Sequence, residues 1–198
     1  MKKMTCSILP VLAIALVIGA VSGIASAQVS TDTVFNTSYY SNNTTAGAPA
    51  GTERFSYDGA AGNPKTVCAN IYVFAADQQL AECCSCPVTA DGLVEENIKT
   101  NLLGNSLTRV TPNQGVIKIV ASSGACNAAV VGTLTPGLNA WTTHIENKVS
   151  TAFPVSVTQN SPSTLSAGEL ASLQADCAFA QRLGSGFGVC TCNAEATN

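Results

Sequence analysis

The segment Val67 to Thr89 constrains the fold more than any other part of the chain. It reads VCANIYVFAADQQLAECCSCPVT and holds four of the nine cysteines. Two runs rich in apolar and β-branched residues flank a polar DQQ stretch, which predicts two β-strands joined by a short turn. Because side chains alternate along a strand, Cys84 and Cys86 are expected on one face and Cys83 on the other.

The first 27 residues predict a secretory signal peptide. Lys2 and Lys3 precede an apolar run, and Ala25-Ser26-Ala27 has the small residues of a cleavage site. The run is short for a membrane-spanning helix, so no membrane span is expected after cleavage. The remaining chain is expected to be secreted, whether to the periplasm, to the cell surface or to the medium.

Cleavage before Gln28 removes Cys6 and leaves an even number of cysteines, which predicts complete pairing into disulfides in an oxidising compartment. Cys190 and Cys192 form a second pair on one strand face, and we hypothesise that they meet Cys84 and Cys86. The sequence itself leaves the pairing open. The eight disulfide candidates are Cys68, Cys83, Cys84, Cys86, Cys126, Cys177, Cys190 and Cys192.

Two other interpretations of the cysteines remain open. The spacings Cys-Cys-x-Cys and Cys-x-Cys could supply thiolates to a metal, but structural zinc sites more often use C-x₂₋₄-C pairs, and no metal or cofactor is predicted. Cys83 and Cys86 also match a C-x-x-C redox centre. They lack the helix N-terminus that lowers the pKa of a reactive thiol.

The charge of the chain limits its partners. Loss of Lys2 and Lys3 with the leader leaves seven basic against twelve acidic residues. A sparse acidic surface has no basic patch for nucleic acid and no polybasic segment for a membrane surface. The partner classes that remain compatible are a glycan and a second copy of the chain.

The succession of strand and helix patterns along the chain predicts one main domain. Residues 28–64 are expected to be a polar N-terminal arm that is partly strand, and residues 65–198 a cysteine-rich β domain. Short strands are predicted at Val116 to Val120, Ala128 to Leu134, Ala140 to Glu146 and Phe153 to Thr158. The segment Asp91 to Leu103 is ambiguous between helix and strand.

The C-terminal part changes from a strand period to a helix period. A capping box at Ser166 and Glu169 predicts a helix at about 166–183, which Gly184 would end. Cys177 falls on its apolar stripe and is expected to join the helix to the sheet. The fold class is therefore mostly β, a disulfide-stapled β-sandwich-like domain with one C-terminal α-helix.

No catalytic signature stands out. His144 is the only histidine, and with Glu146 on the same strand face it resembles a base and its orienting carboxylate. Trp141 and Thr143 are expected on the apolar face of that strand. A surface or hydrogen-bonded structural histidine is favoured, since no G-x-S-x-G elbow supplies a nucleophile.

Several motifs spread along the chain together resemble a family of secreted, cysteine-rich bacterial proteins of the acidobacterial type. The stretches that carry the resemblance are Tyr40 to Thr44, Cys68 to Phe74, Glu82 to Thr89, Gly115 to Lys118, Ala140 to Ile145 and Gly184 to Gly188. No activity is established for that family. The resemblance therefore implies export and a cysteine framework and assigns no site residue.

These observations favour an exported, disulfide-stabilised extracellular or cell-surface structural or binding module without enzymatic activity. The alternative is an exported enzyme, either a hydrolase using His144 and Glu146 or a thiol-redox protein using Cys83 and Cys86.

Overall fold

Residues 34–59 and 64–193 are described by the structure, which is a computed structural model. The predicted signal peptide, with Cys6, lies outside the described residues. The strands and helices are β1 (Phe35–Tyr40), β2 (Thr52–Tyr57), β3 (Thr66–Ala75), β4 (Leu80–Thr89), β5 (Leu93–Asn97), a π-helical turn (Ile98–Leu102), β6 (Gly115–Ser123), β7 (Thr133–Leu134), β8 (Leu138–Ile145), β9 (Val155–Gln159), β10 (Ser161–Pro162) and α1 (Ala167–Arg182).

The strands form two antiparallel sheets. The large sheet has the order β10-β1-β6-β3-β4, with β7 beside β6, and the small sheet has the order β5-β2-β8-β9. β1 and β2 both come from the polar segment 28–64, yet β1 pairs with β6 in the large sheet and β2 lies between β5 and β8 in the small one. The predicted mostly β, sandwich-like fold with a C-terminal helix is confirmed.

The main hydrophobic core lies between the two sheets. From β3 it receives the four residues that alternation places on one strand face, namely Val67, Ala69, Ile71 and Val73, all fully buried. Phe55 and Tyr57 of β2 meet them from the small sheet. A fully buried valine, isoleucine or phenylalanine side chain contributes about 1.5–3 kcal/mol when removed from water, so the predicted alternation of the hairpin determines much of the core.

The other face of the large sheet is covered by α1. Tyr72 of β3 and Val120 of β6 pack there with Leu173 and Ala180 of the helix. The layers are therefore helix, large sheet and small sheet. No helix in the described part of the chain is long and apolar enough to cross a bilayer.

The ends of α1 follow the predicted signals. Ser166 Oγ accepts a hydrogen bond from the Glu169 backbone N–H at 3.0 Å, as an N-cap does. The Glu169 carboxylate does not complete the capping box. It pairs instead with Lys118 of β6, at 2.5 Å between Oε1 and Nζ. Gly184 follows the helix with a φ of 61°, and its N–H donates to the Gln181 carbonyl.

The C-terminal segment runs along the outer edge of β4. Val189 forms a parallel bridge with Cys83. The Cys83 N–H donates to the Gly188 carbonyl at 3.0 Å, and the Cys190 N–H donates to the Cys83 carbonyl at 3.1 Å. An open sheet edge exposes unpaired donors and acceptors to other chains, so this segment protects part of the edge of the large sheet.

One predicted strand is shorter in the structure, and one ambiguous stretch contains two kinds of element. Of the stretch Ala128 to Leu134, only Thr133–Leu134 is a strand. The Asn127 side chain and carbonyl accept the N–H groups of Ala129 and Val130, at 3.0 Å each, and hold a turn in place of an extended start. The ambiguous stretch Asp91 to Leu103 contains both β5 and the π-helical turn.

Candidate functional site

Four disulfides join the eight described cysteines. The pairs are Cys68–Cys126, Cys83–Cys177, Cys84–Cys190 and Cys86–Cys192. Cys84 and Cys86 meet Cys190 and Cys192, as hypothesised from the sequence. Cys177 joins α1 to β4, as expected for a cysteine on the buried face of the helix. Three of the four disulfides therefore fasten the C-terminal helix and tail to one strand.

The structure does not bring Cys83 and Cys86 together as a redox pair. Each is bonded to a different distant cysteine, because alternation along β4 directs the two sulfurs to opposite faces of the sheet. Cys83 and Cys86 therefore do not form the dithiol pair that the thiol-redox alternative requires.

The cluster formed by Cys84, Cys86 and Cys192 is also not a group of free thiolates. The Sγ atoms of Cys84, Cys86 and Cys192 lie within 4.8 Å of one another. They are close because two disulfides stand side by side between β4 and the tail. Metals bind the thiolate form of cysteine, and all three sulfurs are already bonded to sulfur. The cluster therefore strengthens the fold and does not fit a metal.

His144 is a buried, hydrogen-bonded residue. It is 1% exposed and lies beneath the Tyr39 ring, with ring centroids 4.1 Å apart. Its Nε2 is 2.6 Å from Thr158 Oγ1 on the neighbouring strand. Burial lowers the pKa of His144, although the Tyr39 backbone and the Glu146 charge act to raise it. The imidazole is thus held neutral in a contact that links the two sheets.

The predicted partner of His144 is engaged elsewhere. Glu146 accepts a hydrogen bond from Ser156 Oγ at 3.2 Å. The hydrolase alternative needs a base that a third group orients, and here the carboxylate binds a serine instead. Thr158 is the hydroxyl nearest to the imidazole, but Tyr39 covers the ring. The arrangement suits a structural histidine better than a general base.

The two faces of β8 are the reverse of the expectation. Thr142 and His144 point into the interior, whereas Trp141 and Thr143 are partly exposed on the outer face of the small sheet. Polar groups are tolerated inside when each has a hydrogen-bond partner. The partners come from other strands, so the sequence of β8 by itself does not reveal them.

Thr142 belongs to a fully buried polar cluster with Glu53 and Asn160. Thr142 Oγ1 lies 2.5 Å from Glu53 Oε2 and 2.7 Å from Asn160 Oδ1. The Asn160 amide donates to Glu53 Oε1 at 2.6 Å. Burial raises the pKa of Glu53 to about 8, against the lowering effect of its two hydrogen bonds. The sequence signal for this burial is that Glu53 shares its strand face with Phe55 and Tyr57.

Two further glutamates are buried. Glu82 accepts the Asn105 N–H at 2.6 Å, and Glu96 accepts the Asn193 N–H at 2.7 Å. Burial raises the pKa of each to about 7, and these hydrogen bonds lower it in part. Alternation on β5 turns Glu96 inward, whereas the neighbouring Glu95 is on the exposed face. Each buried carboxyl thereby anchors a loop or the tail to a strand.

The outer face of the small sheet carries the only tryptophan of the chain. The strand register sets Trp141 directly between Arg54 of β2 and Gln159 of β9. Among the described residues, the surface grooves include one of about 540 Å³ between α1 and the β3–β4 turn and one of about 330 Å³ beside the same turn. Neither is lined by His144.

Comparison with protein-family models, curated proteins and solved structures found no match.

Proposed function

We propose that the chain is an exported, disulfide-stabilised module that acts outside the cytoplasm, at the cell surface or in the medium, by binding or structural contact and without enzymatic activity. The observation that carries this proposal is the fastening of α1 and the C-terminal tail to β4 by three disulfides. Such bonds form and persist chiefly in oxidising compartments. The leader-like first 27 residues and the resemblance to a secreted cysteine-rich bacterial family support the same location.

The geometry around His144 favours a non-enzymatic role. A hydrolytic base has to reach its substrate and exchange a proton with it. Here the imidazole is covered by Tyr39, and Glu146 is bonded to Ser156. The contact of 2.6 Å between His144 and Thr158 is the one observation that keeps a hydrolase as the second candidate.

The test compares the chain produced with its leader and without it. From the exported chain we expect a species that takes up no alkylating reagent in denaturant until it is reduced. Its intact mass should be eight hydrogens below that of the reduced chain, one pair for each disulfide. Retention inside the cell, or alkylation of several cysteines before reduction, would contradict the proposal.

A further inference from the structure

The outer face of the small sheet has a row of four side chains in direct register. Glu95, Arg54, Trp141 and Gln159 lie side by side on β5, β2, β8 and β9. Trp141 is partly exposed and Gln159 is exposed. The face therefore presents part of an indole ring to solvent between polar groups.

This row carries no unpaired charge. Arg54 Nε donates to Glu95 Oε2 at 2.5 Å, and its Nη1 donates to Thr143 Oγ1 at 3.4 Å. The guanidinium is thus bonded to Glu95 and Thr143, and its charge is neutralised by Glu95. A surface of this kind offers no attraction to a polyanion such as nucleic acid or an acidic polysaccharide.

Two carboxamides flank the indole and are unpaired within the part of the chain that the structure describes. Asn139 is on the same face as Trp141, two residues earlier on β8, and Gln159 is directly opposite on β9. Among the described residues, neither side chain makes a hydrogen bond to another protein group. A carboxamide both donates and accepts, so both are available to a ligand rich in hydroxyl groups.

We propose that this face binds a neutral glycan, with a sugar ring on the indole of Trp141 and its hydroxyl groups bonded to Asn139 and Gln159. The inference rests on the binding role proposed above and names its ligand class. Aromatic rings provide apolar contact area at low entropic cost. Residues two apart on a strand are separated by about 7 Å, and opposite residues on neighbouring strands by about 5 Å, spacings that suit a single sugar ring.

Because Trp141 is the only tryptophan, intrinsic fluorescence of the intact protein reports on this face alone. The probes are hexasaccharides of β-1,4-linked glucose, xylose and mannose and of α-1,4-linked glucose, with oligogalacturonate as the acidic comparison. We expect a saturable change in tryptophan emission with at least one neutral hexasaccharide and none with oligogalacturonate.

Variants assign the binding to this face. Asn139→Ala and Gln159→Ala should each weaken the affinity roughly threefold to tenfold, and Trp141→Ala, measured by calorimetry, should weaken it at least tenfold. The matched control is Gln114→Ala, since Gln114 is an exposed carboxamide in the loop before β6. Its affinity should equal that of the wild type.

Three results would overturn the inference. The first is no emission change with any of the neutral probes, and the second is an affinity that Trp141→Ala leaves unchanged. The third is self-association of the protein that Trp141→Ala abolishes. The last would identify the face as a contact between copies. Each can occur in a protein that is exported and fully disulfide-bonded, so the thiol alkylation test separates these failures from failure of the proposed function.

Discussion

Thr142 and Glu53 meet in the interior with only 2.5 Å between the hydroxyl oxygen and carboxyl Oε2. The same hydroxyl is 2.7 Å from Asn160 Oδ1, and its single proton cannot serve two acceptors. A proton on Glu53 resolves this, because Glu53 then donates to Thr142, Thr142 donates to Asn160, and the Asn160 amide donates back to Glu53. The folded protein therefore holds a neutral Glu53 at neutral pH.

This closed ring of hydrogen bonds predicts that stability falls as the pH rises. The pKa of Glu53 is about 8 in the folded chain, against an ordinary value of 4.5. Between these values the folded state binds more protons than the unfolded state, so the free energy of unfolding decreases by up to about 1.4 kcal/mol per pH unit for this one group. Glu82 and Glu96 act in the same direction, up to about pH 7.

Urea unfolding at a series of pH values measures this dependence. The stability should be highest below pH 4.5 and should decline through neutrality to a plateau above about pH 8. A stability that rises between pH 5 and 8 would contradict the proton assignment.

The substitution Glu53→Gln should make the protein less sensitive to pH. A glutamine amide can donate to Thr142 and accept from Asn160, so it reproduces the protonated glutamate without titrating. We expect stability close to that of the wild type at pH 4 and greater stability at pH 9, with the two unfolding curves measured side by side. Glu53→Ala serves as the control, and it should be destabilised at both pH values because it leaves Thr142 and Asn160 without their partner.

The stacking of Tyr39 on His144 predicts that the imidazole is chemically protected. Diethyl pyrocarbonate should modify the folded protein at least about tenfold more slowly than the unfolded chain, because the ring is 1% exposed. Tyr39→Ala should raise the rate, whereas Tyr39→Phe should preserve the protection because it retains the ring. Absorbance of the carbethoxylated histidine follows the reaction. Rapid modification of the folded wild type would instead favour the hydrolase alternative.

The disulfides Cys84–Cys190 and Cys86–Cys192 should be partly redundant. Both close loops of the same length, 106 residues in sequence separation. Removing one pair by substitution with alanine leaves the tail still closed by the other, so we expect a small loss of stability. Removing both disulfides frees the segment after Cys177. In the chain-entropy model, closing a loop of that length stabilises the folded state by about 3 kcal/mol, so the quadruple variant should lose about that much. Denaturant unfolding of the two double variants and the quadruple variant measures this; equal, additive losses would contradict redundancy.

Gly115 and Gly168 should respond in opposite directions to alanine. A Cβ at Gly115 would overlap the Phe74 carbonyl oxygen of the paired strand, whereas the nearest atom at Gly168 in α1 is 3.9 Å away. We expect Gly115→Ala to destabilise by about 1–3 kcal/mol because β3 and β6 must separate. Gly168→Ala should stabilise by about 0.5–1 kcal/mol through helix propensity. Thermal unfolding checks both, and a neutral Gly115→Ala would show that the strands move apart easily.

The sequence predicts those parts of the fold that local chemistry determines. The β3–β4 hairpin, the cap at Ser166 and the stop at Gly184 each depend on residues within a few positions. The faces of β8 depend on β2, which lies far back along the chain. Val155 and Val157 lie in the predicted strand Phe153 to Thr158, and both are more than half exposed, because β9 is the last strand of the small sheet and turns them outward.

The buried polar ring shows why the site is harder to predict than the fold. Glu53, Thr142 and Asn160 come from three separate segments, and each by itself has the character of a surface residue. Their burial follows from the register that sets Glu53 opposite Thr142. The sequence held one indication of this burial. Alternation along β2 places Glu53 on the same strand face as Phe55 and Tyr57, whose large aromatic rings require burial.

The positions of the disulfides determine the order in which thiols become available during synthesis. Cys83, Cys84 and Cys86 emerge together, but their partners follow 94, 106 and 106 residues later. In that interval their possible partners among the described cysteines are one another, Cys68 and Cys126, and the last two are each other's final partners. Any bond that forms early among these three cysteines has to be reshuffled once α1 and the tail arrive, so the yield of correctly paired chain should depend on a disulfide isomerase more than on an oxidase.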